Sequence, residues 1–380
     1  SMSVNNKATS WIIDDTYVTS ISSLPALVSQ NFTWEKVGTI NVGLDVNLFN
    51  NRLSGVFEWY QRNTNGMLAP GVQLPAVVGA SAPYQNTADM RTRGWELSLN
   101  WRDQIGKVGY RIGFNLSDYK SEIIKYDDNA ATKLLSSYYP GQTLGEIWGY
   151  VVDGYYTVDD FVDTSSWQLK EGVTSINGYN VRPGDVKFKN LRDDDTSTNV
   201  ITSGDNTFDN PGDRKVIGNT TPRYQYGINL GMNYAGFDLN VILQGTGKRD
   251  YWISNVLTFP MNGDNFVPLF EGLSDYWMPK DPDNGDWSAV NPNAKYPRIY
   301  GNRGNSGSNL RQSDKYLSDA SYLRIKNITL SYKLPKKWVN QIFLNQMKAF
   351  VSIENVATFT SLPSGIDPER IEWNLSLIHI

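Results

Sequence analysis

The chain has no cysteine, one histidine and no long apolar run. Each absence removes a class of protein. Without cysteine there is neither a disulfide framework nor a thiolate metal site. With His379 as the sole imidazole, no Ser-His-Asp set and no histidine-ligated metal cluster can be assembled. Nowhere do about eighteen apolar residues follow one another, so no helix of this sequence spans a membrane. Basic blocks are missing and the net charge is -4, so nucleic acid is not an expected partner.

What the chain does have is a two-residue period. It runs through Lys36–Leu48, Arg52–Gln61, Arg91–Arg102, Lys107–Tyr119, Arg223–Tyr234, Gly236–Thr246, Ser321–Lys333 and Gln346–Val356. In the first run Ile40, Val42, Leu44, Val46 and Leu48 alternate with Thr39, Asn41, Gly43, Asp45 and Asn47. Trp95, Leu97, Leu99 and Trp101 alternate with Glu96, Ser98, Asn100 and Arg102. Tyr110, Ile112, Phe114 and Leu116 alternate with Arg111, Gly113, Asn115 and Ser117. Successive side chains of a strand point to opposite faces, so each run has one face for oil and one for water. The phase slips near Lys326–Ile328, which predicts a bulge.

The runs come in pairs joined by tight turns such as Asn50-Asn51 and Ala235-Gly236, or by at most about a dozen residues. Between pairs lie the long polar connections 62–90, 120–222 and 247–320. Long strands with short turns at one end and long loops at the other predict an all-β fold. That fold is an antiparallel transmembrane β-barrel wall of about eight strands, with its long loops outside the cell and its short turns in the periplasm. An antiparallel sandwich also alternates, with its apolar face turned inward. Strand length argues against it, because globular strands cluster near about five or six residues. So do the rings at strand ends, namely Trp59, Tyr60, Tyr119, Tyr224, Tyr234 and Tyr332, which suit a membrane interface.

The loops carry two kinds of candidate. The stretch Asn190-Leu191-Arg192-Asp193-Asp194-Asp195, with Asp205, Asp209 and Asp213 beyond it, gathers oxygen donors. Asn190 and Asp194 are its candidate calcium ligands. The same residues equally make a solvated loop of Asx-turns, and the spacing of a calcium-binding helix-loop-helix is absent. Trp252, Trp277 and Trp287, with Tyr276, stand among Pro, Asn, Asp and Gly in 247–320. Such rings stack on sugars or pack a large loop onto itself or onto a partner.

Several segments carry a family resemblance. They are Asn31-Phe32-Thr33-Trp34-Glu35-Lys36, Arg93-Gly94-Trp95-Glu96-Leu97, the run from Pro211-Gly212-Asp213-Arg214 to Thr221-Pro222-Arg223-Tyr224, Ser321-Tyr322-Leu323-Arg324-Ile325-Lys326-Asn327 and Ile353-Glu354-Asn355-Val356. Taken in order, from about Asn31 to Arg370, the chain resembles the SusC/RagA family of TonB-dependent outer-membrane transporters of Bacteroidetes. The resemblance implies a barrel of about 22 strands with a plugged lumen, of which these residues form roughly the C-terminal third. It implies a SusD-like surface lipoprotein as partner, the TonB complex acting through an N-terminal part, and oligosaccharide or peptide cargo. Membrane lipid and lipopolysaccharide would surround the wall, and the location would be the bacterial outer membrane. Residues 1–35 are then expected to be an outer-loop remnant, 36–370 barrel, and 371–380 an atypical tail. The opening residues Ser1 to Lys7 lack the order of a signal peptide, which fits a fragment.

The function expected is import of a bulky nutrient, most readily a glycan, with no catalytic residue and no cofactor. A glycoside hydrolase needs only paired carboxylates. Asp and Glu are plentiful here, so a chance pair carries no weight. A soluble carbohydrate-binding or adhesive β-module is the alternative, and it would need no detergent.

Overall fold

The computed structural model describes residues 33–71, 74–75, 77, 82–127, 134, 138–192, 199–252, 271–300, 307–341 and 343–371. Residues 27 and 29 are also described, together with the backbone of 4–6, 12–13, 16–17 and 20–22. Eight long strands form one sheet: β1 (Lys36–Leu48), β2 (Leu53–Pro70), β3 (Tyr84–Ile105), β4 (Val108–Tyr126), β5 (Arg223–Tyr234), β6 (Phe237–Lys248), β7 (Tyr322–Lys333) and β8 (Lys348–Thr360). Their order in the sheet is their order in the chain. The pairs β4–β5, β5–β6, β6–β7 and β7–β8 are all antiparallel. Within 1–35 two short pairings occur, Val4–Asn6 with Ser20–Ser22 and Ile12–Ile13 with Thr16–Tyr17.

Register converts the sequence period into two surfaces. One row across the sheet is Ile112, Leu230, Val241, Ile328 and Ile353. The adjacent row is Arg111, Gly231, Asn240, Thr329 and Ser352, on the opposite face. The expected bulge sits at Lys326. Ile325 pairs with Leu243 and Ala357, Asn327 with Ile242 and Glu354, and Lys326 falls between. Leu323 and Ile325 precede it in the apolar rows, and Ile328, Leu330 and Tyr332 follow it there. A single residue of slip would turn every later side chain to the wrong face, so the inserted residue restores the phase.

The apolar face is bare. Val42 is 62% exposed and Leu230 38%, and neither Leu99 nor Phe114 is buried. Among the described residues no second sheet covers these rows, where a sandwich would bury them. Tyr234, Phe237 and Tyr332 share the row at the short-turn end, and Tyr224 lies near the other. The ten steps from Tyr224 to Tyr234, at about 3.3 Å each and a tilt of about 40°, rise about 25 Å, the height of an outer-membrane apolar band.

The turns follow from backbone chemistry. Ala235 and Gly236 both have positive φ, 48° and 92°, the geometry of a two-residue hairpin whose twist matches the strands. Phe49, Asn50 and Asn51 are all left-handed, so the β1–β2 turn recruits one residue more than the Asn-Asn pair. Between β3 and β4 the turn is the pair Gly106-Lys107. At Gly94 a β-carbon would meet the Tyr60 ring at 2.6 Å, so glycine there lets the ring lie flat on the sheet.

By contacts the chain divides into residues 1–40, 61–93 and 121–143 as one unit, and 41–60, 94–120 and 144–380 as the other. In the first unit β2 and β3 run past their periodic segments, so the connection between them is 71–83 rather than 62–90. The extension carries no apolar alternation because its polar groups bond to one another. The Gly66 amide donates to Asp89 at 2.7 Å, Asn86 exchanges two bonds with the Thr33 backbone, and Arg91 and Arg93 donate to Asn63 and Gln61. In the second unit β7 and β8 are joined through a short helix, Lys336–Gln341.

If the bare rows meet lipid, Leu230→Arg in the full-length protein costs about 2–4 kcal/mol in refolding into vesicles, and Asn229→Arg on the other face costs well under half of that. Equal penalties would contradict a one-sided lipid contact.

Candidate functional site

The described parts of connection 127–222 fold. Glu146–Tyr150 pairs with Arg214–Asn219, and Val152–Tyr155 with Val186–Phe188. These strands close a core of Tyr150, Tyr156, Phe161, Ile176, Val181, Val186, Phe188 and Ile201. Connection 249–321 adds a second core, Leu273, Tyr296 and Tyr316, with Trp252 against it. So the described parts of the long loops bury apolar cores of their own, while the sheet leaves its apolar rows uncovered.

Asp185 ties the two connections together. It is 1% exposed, and its Oδ2 accepts from Tyr300 Oη at 2.7 Å and from the Arg182 amide at 2.8 Å. Its Oδ1 accepts from Asn309 Nδ2 at 2.9 Å, and Asn309 Oδ1 in turn accepts from the Val186 amide at 2.8 Å. Burial pushes the carboxyl upward, and the bonds from Tyr300, Asn309 and Arg182 oppose that rise. Every donor is used internally, so the cluster is a joint between loops and not an open acid site. The segment Gly184-Asp185-Val186-Lys187-Phe188 therefore owes its composition to packing. Gly184 has φ 90°, and a β-carbon there would meet Trp277 at 2.2 Å.

The three tryptophans have separate surroundings. Trp277 is 3% exposed and packs over Gly184, so it presents no ring to a ligand. Trp252 lies in the short strand Asp250–Trp252 against the second core. Trp287 is half-buried, edge-on to Trp167 at 5.0 Å, with the Arg298 guanidinium 5.0 Å over its ring. Trp167 was not singled out in the sequence. Its ring also meets Phe161 and the Arg182 guanidinium.

In the acidic stretch, Asn190 donates to Asn199 Oδ1 at 2.9 Å and accepts from the Arg192 amide. Asp194 lies outside the described residues. Asp213 is fully buried and caps the Leu191 and Thr202 amides, and Asp205 closes a turn on Thr207. Among the described residues no group of three or more carboxylates or imidazoles gathers.

The polar face of the sheet is the other candidate surface. A shallow groove there brings Asn115, Gln225, Asn229 and Gln244 beside Ile242 and Tyr322. Amides present donors and acceptors together, which suits hydroxyl-rich or peptide ligands. Arg111 reaches Asp238 and Asn240, both at 3.3 Å, and Asn327, Thr329 and Ser352 form a bonded triad. Beside the bulge, Arg324 Nη1 binds Glu369 at 2.7 Å and Nη2 binds Asp367 at 2.6 Å, while Lys326 binds Glu369 at 2.9 Å. These pairs fasten residues 361–371 to β7, and Leu362 and Ile371 pack with Ala320 beneath them. Sequence pattern did not reveal this strap, because its partners lie over forty positions apart. The expected tail after Arg370 lies outside the described residues, apart from Ile371.

One polar face, one bare apolar face and a chain-order meander make this the wall of a transmembrane β-barrel. No family model matches the chain. It is similar to the TonB-dependent receptor P3 of Formosa agariphila, with 28% identity over 361 residues covering 91% of this chain and 32% of that protein. It is also similar to the TonB-dependent receptor SusC of Bacteroides thetaiotaomicron, with 24% identity over 96% of this chain and 32% of that protein. Among solved structures, the RagAB peptide importer in its closed-closed state aligns with 97% of this chain and 36% of its own, at TM-score 0.68 and 22% identity. Its open-open state aligns at TM-score 0.67 and 22% identity, over 97% of this chain and 35% of its own. The chain spans about a third of the length of the curated relatives it matches. These relatives are named as receptors and the neighbours as importers, none as an enzyme. The chain has the fold of a section of a SusC/RagA-type outer-membrane barrel.

Gly184→Ala is expected to expel the Trp277 ring and loosen the joint, seen as faster protease cutting within 271–300 of the folded protein. Unchanged cutting would mean the joint is not needed. The strap is expected to respond to pH. The Glu369 amide, then Arg324, hold the Asp367 carboxyl below its usual range. A depressed carboxyl contributes stability above its unfolded value and loses it as pH falls through the folded one. A nitroxide at Ser364→Cys should therefore gain mobility only below the ordinary carboxylate range, and already at neutral pH when combined with Arg324→Gln.

Proposed function

We propose that this chain is wall and outer-loop structure of a TonB-dependent importer that carries a bulky nutrient across the bacterial outer membrane, with a SusD-like surface lipoprotein as partner. The observation that carries the reading is the bare apolar band on a chain-order antiparallel sheet, joined to similarity with TonB-dependent receptors over nine tenths of the chain. Cargo would bind between the folded outer connections and the amide-lined inner face. Movement of a plug, driven through the TonB complex, would then admit it. No residue need form or break a covalent bond. What this chain supplies is orientation and differential binding.

The cargo class we favour is an oligosaccharide. Amides and hydroxyls recur on the inner face, and half-buried rings such as Trp287 and Trp167 stand in the outer connections. Sugar hydroxyls and C–H faces match that pairing of surfaces. A peptide is the second reading, favoured by the likeness of fold to RagAB, which is named a peptide importer.

Growth separates the two. A strain lacking the full-length protein should lose growth on one glycan as sole carbon source and keep growth on peptides. Uptake of that labelled glycan should stop when the proton-motive force is collapsed. Loss on peptides alone would reverse the cargo assignment. Recovery of the protein in the soluble fraction, without detergent, would remove the importer reading.

A further inference from the structure

The connection between β7 and β8, residues 334–347, does not resemble the other short turns. It is long for a short-turn connection, and it is purely basic. Lys336 and Lys337 lie within it and Lys333 and Lys348 flank it, with no acidic residue between them in a chain of net charge -4. It is also apolar outward. Trp338 is 58% exposed, Phe343 99%, and Leu344 and Met347 are both more than 40% exposed. Phe343 adopts φ 59°, a conformation costly for an aromatic residue. Bare ring and strained backbone together are unfavourable in water.

The segment is nonetheless built. Val339 is 1% exposed and anchors the helix Lys336–Gln341. The Val339 amide donates to the Pro335 carbonyl, the Leu344 amide to the Val339 carbonyl, and the Leu334 amide to the Met347 carbonyl, which closes the connection. With Val339 turned in, Trp338 and Phe343 are left out. The segment continues directly from Tyr332, which shares its row with Phe237 at the short-turn rim of the apolar band. Two features thus point to one occupant. Continuity with the band calls for acyl chains. Four uncompensated lysines call for anionic headgroups, since a negatively charged leaflet attracts clustered lysines near its surface. Tryptophan at that boundary is the residue an interface favours.

We propose that residues 334–347 form an interfacial anchor for anionic phospholipid. Trp338 and Phe343 lie at the acyl boundary, and Lys336 and Lys337, with Lys333 and Lys348, hold phosphate headgroups. The anchor fixes the depth of the β7–β8 hairpin and so the height of the bulge and strap on the same strands. This rests on the membrane-wall reading above, and the test carries a control for that reading.

These residues contain no native cysteine, so a label on an introduced one reports a single position within them once any cysteine elsewhere in the full-length protein is replaced. The full-length protein with Phe343→Cys, carrying an environment-sensitive fluorophore, is reconstituted in phosphatidylcholine vesicles with or without phosphatidylglycerol. The quenchers are brominated forms of each lipid. Val241→Cys, in the middle of the band, is the control. The fluorophore at 343 should be quenched by both lipids, and by brominated phosphatidylglycerol about fivefold more effectively for each lysine engaged. Lys336→Glu with Lys337→Glu should abolish that preference without changing quenching at 241. Quenching at 241 but by neither lipid at 343 would overturn the anchor, because water or another part of the protein would then cover the segment. Equal quenching by the two lipids at 343 would overturn the headgroup assignment. Absence of quenching at 241 would instead sink the membrane wall itself.

Discussion

The structure depends on one constraint: the backbone polar groups that cross the apolar band must be satisfied by a neighbouring strand, because the apolar rows leave no room for water. Among β-structures, only a paired meander that closes into a barrel meets that demand in hydrocarbon. The constraint fixes register across five strands, so that Leu230 meets Ile112 on one side and Val241 on the other. It also explains the bulge. Lys326 is inserted where the sequence changes phase, and the row runs on unbroken through Ile328 to Ile353.

The loops obey the opposite rule. Where the sheet leaves Val42 and Leu230 bare, the connections bury Tyr156, Phe188, Ile201 and Leu273 almost completely. They behave as small soluble domains mounted on a wall, and the buried side chains at their joint bond to one another. Asp185 serves three donors, Asp213 two and Asn309 both ends of its amide. Rigid loops of this kind can present a fixed surface to cargo or to a partner. The strap from Asp367 and Glu369 to Arg324 and Lys326 joins the two regimes, because it fastens a loop to the polar face of the sheet.

Much of the wall was legible in the sequence because its physics is local. A period of two reports one face in oil, and β1 and β5 occupy the residues whose side chains alternate. Where the sheet leaves the apolar band the signal fades, which is why β2 and β3 extend through Asn63, Thr64 and Asn86 without announcing themselves. The loops were legible only as composition. Nothing local says that Trp277 closes on Gly184 or that Tyr300 finds Asp185, since those partners are set by tertiary packing. The same holds for Trp167, which joins Trp287 across more than a hundred residues. Beside Asn190, the described part of the acidic stretch is held by backbone caps such as that of Asp213 on Leu191, a pairing that no local pattern announces.

The most direct measurement of the central claim is a nitroxide scan along β5, residues 227–233, in the full-length protein reconstituted in lipid vesicles. Collision with oxygen and with a water-soluble nickel chelate is read at each position. The account predicts a strict alternation, with oxygen favoured at 228, 230 and 232 and the chelate at 229, 231 and 233. Protection of both sets from both reagents, or access of the chelate to both, would contradict it.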